Sequence, residues 1–268
     1  MARIITITSG KGGVGKTTIT ANIGTSLALM GKKVCLIDAD FGLRNLDIPL
    51  GLTNRMIYDI GDYLKGNCQL KQALIKDKRF PDLWFLPGSK EYTSLNIKPE
   101  LFKETVESLS ESFDFVLIDS PAGIETGFRN AAAAANEAIV VSNTYRTSIQ
   151  DADRVIGLLE EFISIPPHLI INMDPGKKKS SLHYENISSI LDTLQINLLG
   201  VITQDHEIVH SIHQGIPITL NTSNDNGLRF RHAARNLLRN ENKEYISAQI
   251  KEKKSLHLFK WKKMIRKI

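Results

Sequence analysis

A glycine-rich loop near the start of the chain constrains the fold more than any other stretch. Residues 10–18 read Gly-Lys-Gly-Gly-Val-Gly-Lys-Thr-Thr and fit the phosphate-binding pattern G-x-x-x-x-G-K-[ST]. The apolar run at residues 4–8 predicts a strand before the loop, and residues 19–30 carry apolar and small residues at helical spacing. A strand, a glycine turn and a helix in this order predict a phosphate-binding loop, whereas a bare glycine-rich turn that binds nothing is the alternative.

The residue types of the loop suit the phosphates of a nucleoside triphosphate. Glycines let successive backbone N–H groups turn inward around phosphate oxygens, and the helix N-terminus adds its positive dipole end. We predict that Lys16 reaches the β- and γ-phosphates and that the Thr17 hydroxyl ligates Mg²⁺. The nucleotide-binding residues predicted in this loop are Gly10, Lys11, Gly12, Gly13, Val14, Gly15, Lys16, Thr17 and Thr18.

Lys11 is a second lysine, near the start of the loop, where the general pattern requires no charge. Three interpretations stay open from the residues alone. Its side chain is solvated, or it contacts a phosphate bound by its own loop, or it contacts one bound by a second subunit.

Two apolar strand-like runs, at residues 34–37 and 115–118, end in carboxylates. Carboxyl ends of strands are where open α/β sheets bind ligands, so we predict that Asp38 and Asp119 hold Mg²⁺. Asp40 is predicted to orient a water for attack on the γ-phosphate, and Gly123 to let the backbone approach that phosphate. The alternative for an aspartate at a strand end is a cap on the element that follows.

Buried strands and amphipathic helices alternate along the chain, which predicts a doubly wound, mainly parallel sheet of about seven to eight strands with flanking helices. We assign residues 1–240 to this single P-loop ATPase domain. Residues 57–64 and 69–75 are predicted as short helices and residues 215–218 as a short final strand. A strand at residues 169–172 ends in Asn172, whose amide pairs a donor with an acceptor.

Charge is unevenly distributed in this chain of 268 residues with a net charge of +5. Residues 251–268 hold eight lysines and arginines against one glutamate, so this segment carries +7 and residues 1–250 carry −2. The two cysteines lack metal-ligand spacing, which indicates core or incidental thiols in a reducing compartment. No apolar run approaches the length of roughly 18 residues that spans a bilayer. The first predicted strand begins at about residue 3, so we expect no targeting segment.

The basic end of the chain predicts a membrane-surface helix. Residues 255–268 place apolar side chains on one stripe and lysines mostly away from it, which is typical of an interfacial helix. The predicted membrane-contacting residues are Leu258, Phe259, Trp261, Met264, Ile265 and Ile268. Residues 241–254 form a charged linker or a helix extension. The alternatives are a helix that packs on the protein's own core, or one that frays, since so short a helix is marginal alone in water.

Several of these stretches resemble the ParA/MinD family of ATPases. The loop sequence Lys-Gly-Gly-Val-Gly-Lys-Thr-Thr is similar to that family's deviant phosphate loop. Residues 38–47, 72–77 and 120–127 also resemble the MinD type, and the basic tail matches in kind. The resemblance covers nearly the whole chain.

The resemblance implies a switch that binds ATP with Mg²⁺, forms a homodimer and attaches to an anionic membrane. It implies that Lys11 contacts nucleotide across the dimer interface, that Asn172 reads adenine, and that residues 147–162 dock partners. MinC-like and MinE-like regulators of division are the implied partners, in a bacterium or a plastid, and the Lys, Ile and Asn usage hints at a plastid genome.

Two other functions remain as alternatives. A DNA-segregation ATPase of ParA type needs a basic body for duplex DNA, whereas residues 1–250 carry −2, so no nucleic acid is expected. A related synthetase or electron-donating reductase is the second alternative, and the reductase requires cluster-ligating cysteines that Cys35 and Cys68 do not supply.

Overall fold

One eight-stranded sheet organises the molecule. The computed structural model describes residues 2–91, 97–176 and 184–239. The strand order is β3-β4-β2-β5-β1-β6-β7-β8, with every neighbouring pair parallel except β3, which pairs antiparallel with β4. The strands are β1 Arg3–Thr8, β2 Val34–Asp38, β3 Ile75–Lys76, β4 Leu83–Leu86, β5 Phe115–Asp119, β6 Glu137–Ser142, β7 His168–Asp174 and β8 Asn197–Thr203.

Helices cover both faces of the sheet. They are α1 Lys16–Leu29, α2 Asp47–Leu50, α3 Ile60–Leu64, α4 Leu70–Ala73, α5 Pro99–Ser110, α6 Thr126–Ala133, α7 Arg146–Leu159, α8 Ile187–Leu194, α9 His206–Gln214 and α10 Asp225–Arg239. Helices α1, α2, α9 and α10 share one core cluster, and α3 to α8 share the clusters on the opposite face. The predicted doubly wound, mainly parallel fold is confirmed.

Alternation along the central strands explains why both layers form. In β2 all five residues are buried. Val34 and Leu36 pack in the cluster of α1, whereas Cys35 and Ile37 pack in the cluster of α5. A strand with two apolar faces is buried only between two layers of helices, so a continuous apolar run specifies a central parallel strand.

The predicted final strand at residues 215–218 is wrong. Gly215 ends α9 with a left-handed φ of 63°, and Ile218–Leu220 form a 3₁₀ helix. The Thr219 N–H donates to Asn22 Oδ1 of α1 at 3.0 Å, so this segment bonds to a helix instead of the sheet. The predicted helix at 69–75 is also shorter in the structure, where α4 covers Leu70–Ala73 and Ile75 begins strand β3.

Arg79 ties together the ends of two helices. Its guanidinium donates to the carbonyl of Gly215 at 2.8 Å and to the carbonyl of Leu50, at the C-terminal ends of α9 and α2. The buried carboxylate of Asp77 accepts from the same group at 2.7 Å. Cations stabilise helix C-termini, and the Arg79 guanidinium is paired both with these carbonyls and with the buried Asp77, so Arg79 holds α2 against α9.

The predicted linker at 241–254 and helix at 255–268 lie outside the described residues. Within the described part of the chain, no helix combines the length and the hydropathy that crossing a membrane requires.

Candidate functional site

The glycine-rich loop lies at the carboxyl end of the central strand β1. β5 flanks this strand on one side and β6 on the other, both parallel. The chain leaves β1 towards β2 on one side and later adds β6 on the other, so the loop occupies a topological switch point of the sheet. The predicted loop residues therefore stand where this fold class binds ligands.

Geometry requires glycine at Gly15 and at Gly10 of the loop, for two different reasons. Gly15 precedes α1 with φ 92°, a left-handed conformation that L side chains rarely adopt. Gly10 faces α7 so closely that a Cβ there would lie 2.5 Å from the backbone oxygen of Asp151. The loop thus presents its backbone to solvent on one side and packs directly against α7 on the other.

Lys16 lies in the buried interior of the loop. The residue is 8% exposed, and its Nζ donates to Ser9 Oγ at 3.1 Å. Burial lowers the pKa of Lys16, while the nearby carboxylates of Asp119 and Asp40 act in the opposite direction. A cation desolvated in this way interacts strongly with an anion that enters the loop.

Asp119 lies at the end of β5, beside the start of α1. The residue is 1% exposed, its carboxylate accepts from Thr20 Oγ1 at 3.0 Å, and the Thr17 hydroxyl donates to the carboxylate as well. Burial and the neighbouring charge of Asp38 raise its pKa to about 7. The structure therefore brings together Thr17 and Asp119, two of the three predicted magnesium ligands.

Asp38 organises the loop that follows β2. Its two carboxylate oxygens accept from the N–H groups of Asp40 at 3.0 Å, Asn45 at 3.0 Å and Leu46 at 2.9 Å. Burial raises its pKa to about 6 despite these bonds. The observed contacts are those of the capping alternative, in which a strand-end aspartate holds the next element. A role for Asp38 in holding Mg²⁺ stays a prediction.

Asp40 and Gly123 border the same loop. Burial raises the pKa of the half-buried Asp40, and the charge of Lys16 opposes the shift. The Gly123 N–H donates to the carbonyl of Ser9 at 3.3 Å, which holds the turn after β5 against the loop. Lys11 is exposed, and its own carbonyl accepts from Ser9 Oγ at 2.8 Å.

Asn172 lies beneath the loop, near the end of β7. Its side chain is buried, and Nδ2 donates to the carbonyl of Val14 at 2.8 Å. A Cβ on Gly15 would lie 2.3 Å from this same nitrogen. The contact that Asn172 makes is therefore with the loop backbone, and adenine recognition by Asn172 stays a prediction.

Sequence reasoning missed three residues that shape the site. Ser9 links Lys16 to the backbone of Lys11, and Thr20 bonds Asp119. The signal for Thr20 was available, because it follows Lys16 by four residues and so shares its helix face. Nothing in the sequence marks Asp151 as the neighbour of Gly10, since the two are joined only by packing.

The donor set fits a magnesium ion. Asp38 and Asp119 are partners in the pairing of β2 with β5, and both are buried carboxylates with raised pKa values. Two adjacent carboxylates without a compensating cation are costly in a buried site, and a hydroxyl lies beside them on Thr17. Carboxylate and hydroxyl oxygens are the ligands that hard cations prefer.

Known protein families and sequences resemble this chain over most of its length. The family model of an AAA domain matches residues 2–171. The septum site-determining protein MinD of Bacillus subtilis is 45% identical over 240 residues, which cover 89% of this chain and 90% of that protein.

Two solved structures extend this comparison. The MinC:MinD cell division protein complex of Aquifex aeolicus contains a chain with TM-score 0.82 and 44% identity, covering 88% of this chain and 96% of that one. MinD of Pyrococcus horikoshii, solved with Mg-ADP, has TM-score 0.79 and 30% identity, covering 88% and 96% of the two chains. Each of these similarities extends over most of this chain and most of the protein compared with it. The chain therefore belongs to the MinD family of septum site-determining proteins.

Proposed function

We propose that this protein is an Mg²⁺-dependent ATPase that dimerises with ATP, attaches to an anionic membrane and helps to place the division septum. The observation that carries the proposal is the convergence of Lys16, Thr17 and Asp119 around the glycine-rich loop, with Asp40 at its border. A MinD relative was solved with Mg-ADP and another in complex with MinC, which supports nucleotide use and a MinC-like partner.

In this proposal the loop binds the triphosphate through its backbone N–H groups and the N-terminus of α1. The Lys16 ammonium group moves from Ser9 Oγ to the β- and γ-phosphates, so it exchanges a neutral hydroxyl acceptor for charged phosphate oxygens. Mg²⁺ supplies a positive charge that polarises the phosphate oxygens when it is bound. Thr17 and Asp119 would hold it, together with Asp38, and Thr20 orients the carboxylate of Asp119.

Asp40 is the proposed water-orienting residue. Partial burial raises its pKa, which makes its carboxylate a stronger base towards the proton of a water nucleophile. Asp38 fixes the backbone of Asp40 through its bond to the Asp40 N–H at 3.0 Å. Asp38 therefore positions the backbone of the water-orienting residue, in addition to its proposed part in holding the cation.

Lys11 is proposed to act on the nucleotide of a second subunit. Its side chain is exposed, and it forms no hydrogen bond or ion pair with any residue in ranges 2–91, 97–176 and 184–239. Its carbonyl is nevertheless held by Ser9 at 2.8 Å, so the backbone is fixed while the ammonium group is available. This combination suits a contact made only in the dimer.

The basic tail is proposed as the membrane contact, and the chain is therefore divided into three segments. Residues 1–240 form the ATPase domain, 241–254 the linker and 255–268 the amphipathic helix. Attraction to anionic lipid amounts to about 1 kcal/mol for each basic residue, so one tail binds reversibly. Two tails joined in a dimer bind far more firmly, because the second contact becomes intramolecular. The proposed location is the inner face of a bacterial cell membrane or a plastid envelope, with MinC-like and MinE-like partners.

Sedimentation with anionic liposomes tests this switch. The full chain and residues 1–254 are compared with ATP and with ADP, and we expect ATP to raise the bound fraction of the full chain alone. Binding that ignores ATP, or that survives truncation, contradicts the anchor. Retention of the protein on duplex DNA instead of liposomes would support the ParA-like alternative.

Lys11→Ala tests the shared site. We expect this variant to lose ATP-driven dimerisation and hydrolysis while nucleotide binding mostly survives, as measured by size-exclusion chromatography and by calorimetric titration. Lys32→Ala, which removes a lysine beyond the far end of α1, serves as the control for charge. A normal dimer of the Lys11→Ala variant contradicts the role across the interface.

A further inference from the structure

A groove lies between α4, α5 and the edge of the sheet, remote from the nucleotide site. We infer that this groove docks an acidic peptide segment of a partner protein through an apolar anchor side chain. Its volume is about 530 Å³, within the range of sites that hold small ligands or a few peptide residues. The lining residues that carry the argument are Lys71, Leu74, Lys76, Trp84, Leu109 and Phe113.

The floor of the groove is aromatic and aliphatic. Trp84 and Phe113 meet edge to face, with ring centroids 6.3 Å apart at 71°. Leu109 is buried below them, while Leu74 and both rings are partly exposed. An apolar side chain that entered here would remove these exposed surfaces from water, which is the favourable term that an anchor residue needs.

The rim of the groove is basic. Lys33, Lys71 and Lys76 are all exposed and face a single lining aspartate, Asp82. Among the residues that the structure describes, none of these three lysines forms an ion pair. Lys76 Nζ lies 5.4 Å from the centroid of the Trp84 ring, so one cation is already held over the apolar floor. This charge distribution complements an acidic partner.

The charge also decides which occupant is favoured. The protein's own tail carries +7 over residues 251–268 and is repelled by the rim. The groove adjoins β3, one of the two edge strands of the described sheet, which offers main-chain groups to an extended peptide. A peptide with acidic residues around one apolar side chain therefore matches the floor, the rim and the strand edge together.

The groove stands at the end of the sheet opposite the nucleotide. Lys33 precedes the first residue of β2 and Phe113 precedes β5, whereas the glycine-rich loop follows the last residue of β1. In a parallel sheet the amino ends and the carboxyl ends of the strands are separated by a strand length, roughly 15 Å. A partner docked here leaves the phosphate loop accessible, so docking and ATP binding are compatible.

Trp84 supplies a direct readout, because the chain has two tryptophans and the other is Trp261 in the tail. In the full chain with Trp261→Phe, Trp84 is the sole indole reporter. The probe is the capped peptide Glu-Asp-Leu-Phe-Asp-Glu, and its comparison peptide is Lys-Lys-Leu-Phe-Lys-Lys. We expect a saturable change in Trp84 fluorescence with the acidic peptide and none with the basic one.

A matched pair of double variants tests the charge argument. Lys71→Gln with Lys76→Gln should weaken binding of the acidic peptide about five- to tenfold, the loss of two exposed ion pairs. Lys98→Gln with Lys103→Gln changes the net charge equally but lies outside the groove, and should leave binding unchanged. Basal ATP hydrolysis should be equal in both.

Three results overturn the inference. The first is the absence of a saturable response to the acidic peptide. The second is equal weakening by the two double variants, which would mean a general charge effect. The third is full displacement of the peptide by inorganic phosphate or by anionic lipid vesicles, which would assign the groove to a simple anion or to a membrane surface.

Discussion

Replacement of Gly10 by alanine tests whether the phosphate loop depends on its contact with α7. A Cβ at this position would lie 2.5 Å from the Asp151 oxygen, 2.7 Å from its Cβ and 2.8 Å from its carbonyl carbon. Two of these atoms are backbone atoms in α7, so no side-chain rotation relieves the clash. Either the loop or the helix must move.

The magnitude follows from the overlap. Ordinary contacts of a Cβ begin at 3.4 Å, so the helix or the loop must shift by about 0.9 Å. Overpacking of this kind costs about 1–3 kcal/mol. For a chain of this size, each kcal/mol lowers the melting temperature by about 2–4 °C, and we expect a fall of about 2–12 °C.

Gly12→Ala is the matched control in the same loop. A Cβ there lies 3.7 Å from the Ala122 Cβ, an ordinary contact, and its cost should stay within about 1 kcal/mol of zero. Thermal unfolding of the nucleotide-free proteins, followed by circular dichroism, compares the two variants. Equal melting temperatures for Gly10→Ala and Gly12→Ala would refute the packing argument, because only one of them meets α7.

Three further perturbations test the site and its scaffold. Burial beside a second carboxylate raises the pKa of Asp119 from 3.8 to about 7. Between about pH 4 and pH 7 the folded, metal-free protein therefore binds a proton that the unfolded chain does not, and its free energy of unfolding falls as the pH rises through this range. Asp119→Asn should flatten that slope in urea titrations at about pH 5 and pH 8 with chelator, and an unchanged slope contradicts the assignment. Thr20→Val should lower the rate of ATP hydrolysis about tenfold with nucleotide affinity retained, whereas Thr25→Val, which loses only a bond to the carbonyl of Ala21 at 2.7 Å, should not. Arg79→Met should cost about 2–4 kcal/mol in urea unfolding by leaving a buried carboxylate unpaired, and a loss below about 1 kcal/mol would show that the clamp is dispensable.

The layout of the protein could be predicted from its sequence because the signals are local. Apolar runs of strand length, the glycine pattern and the aspartates at strand ends each lie within a few consecutive residues. These signals place Lys16, Thr17, Asp38 and Asp119 on the carboxyl edge of one sheet. The alternation of strands and helices predicts the doubly wound fold for the same reason, since period and burial are read along the chain.

The remaining contacts depend on which distant segments meet, and this only the tertiary structure decided. Thr20 bonds Asp119 across 99 positions, and Asn172 reaches Val14 across 158. The pairing of β2 with β5 makes Asp38 the neighbour of Asp119, a register that no local pattern contains.

The same reason explains the segment that was predicted wrongly. Residues 215–218 combine apolar residues with a proline and read locally as a strand, but Gly215 ends α9 and Ile218–Leu220 form a 3₁₀ helix whose Thr219 bonds to α1. The glycine-rich loop itself has features of both kinds, some predicted from its own sequence and some set by distant residues. Its sequence alone predicted a phosphate site, whereas its packing on α7 through Gly10 and its support by Asn172 follow from long-range contacts that form only when the whole domain closes around it.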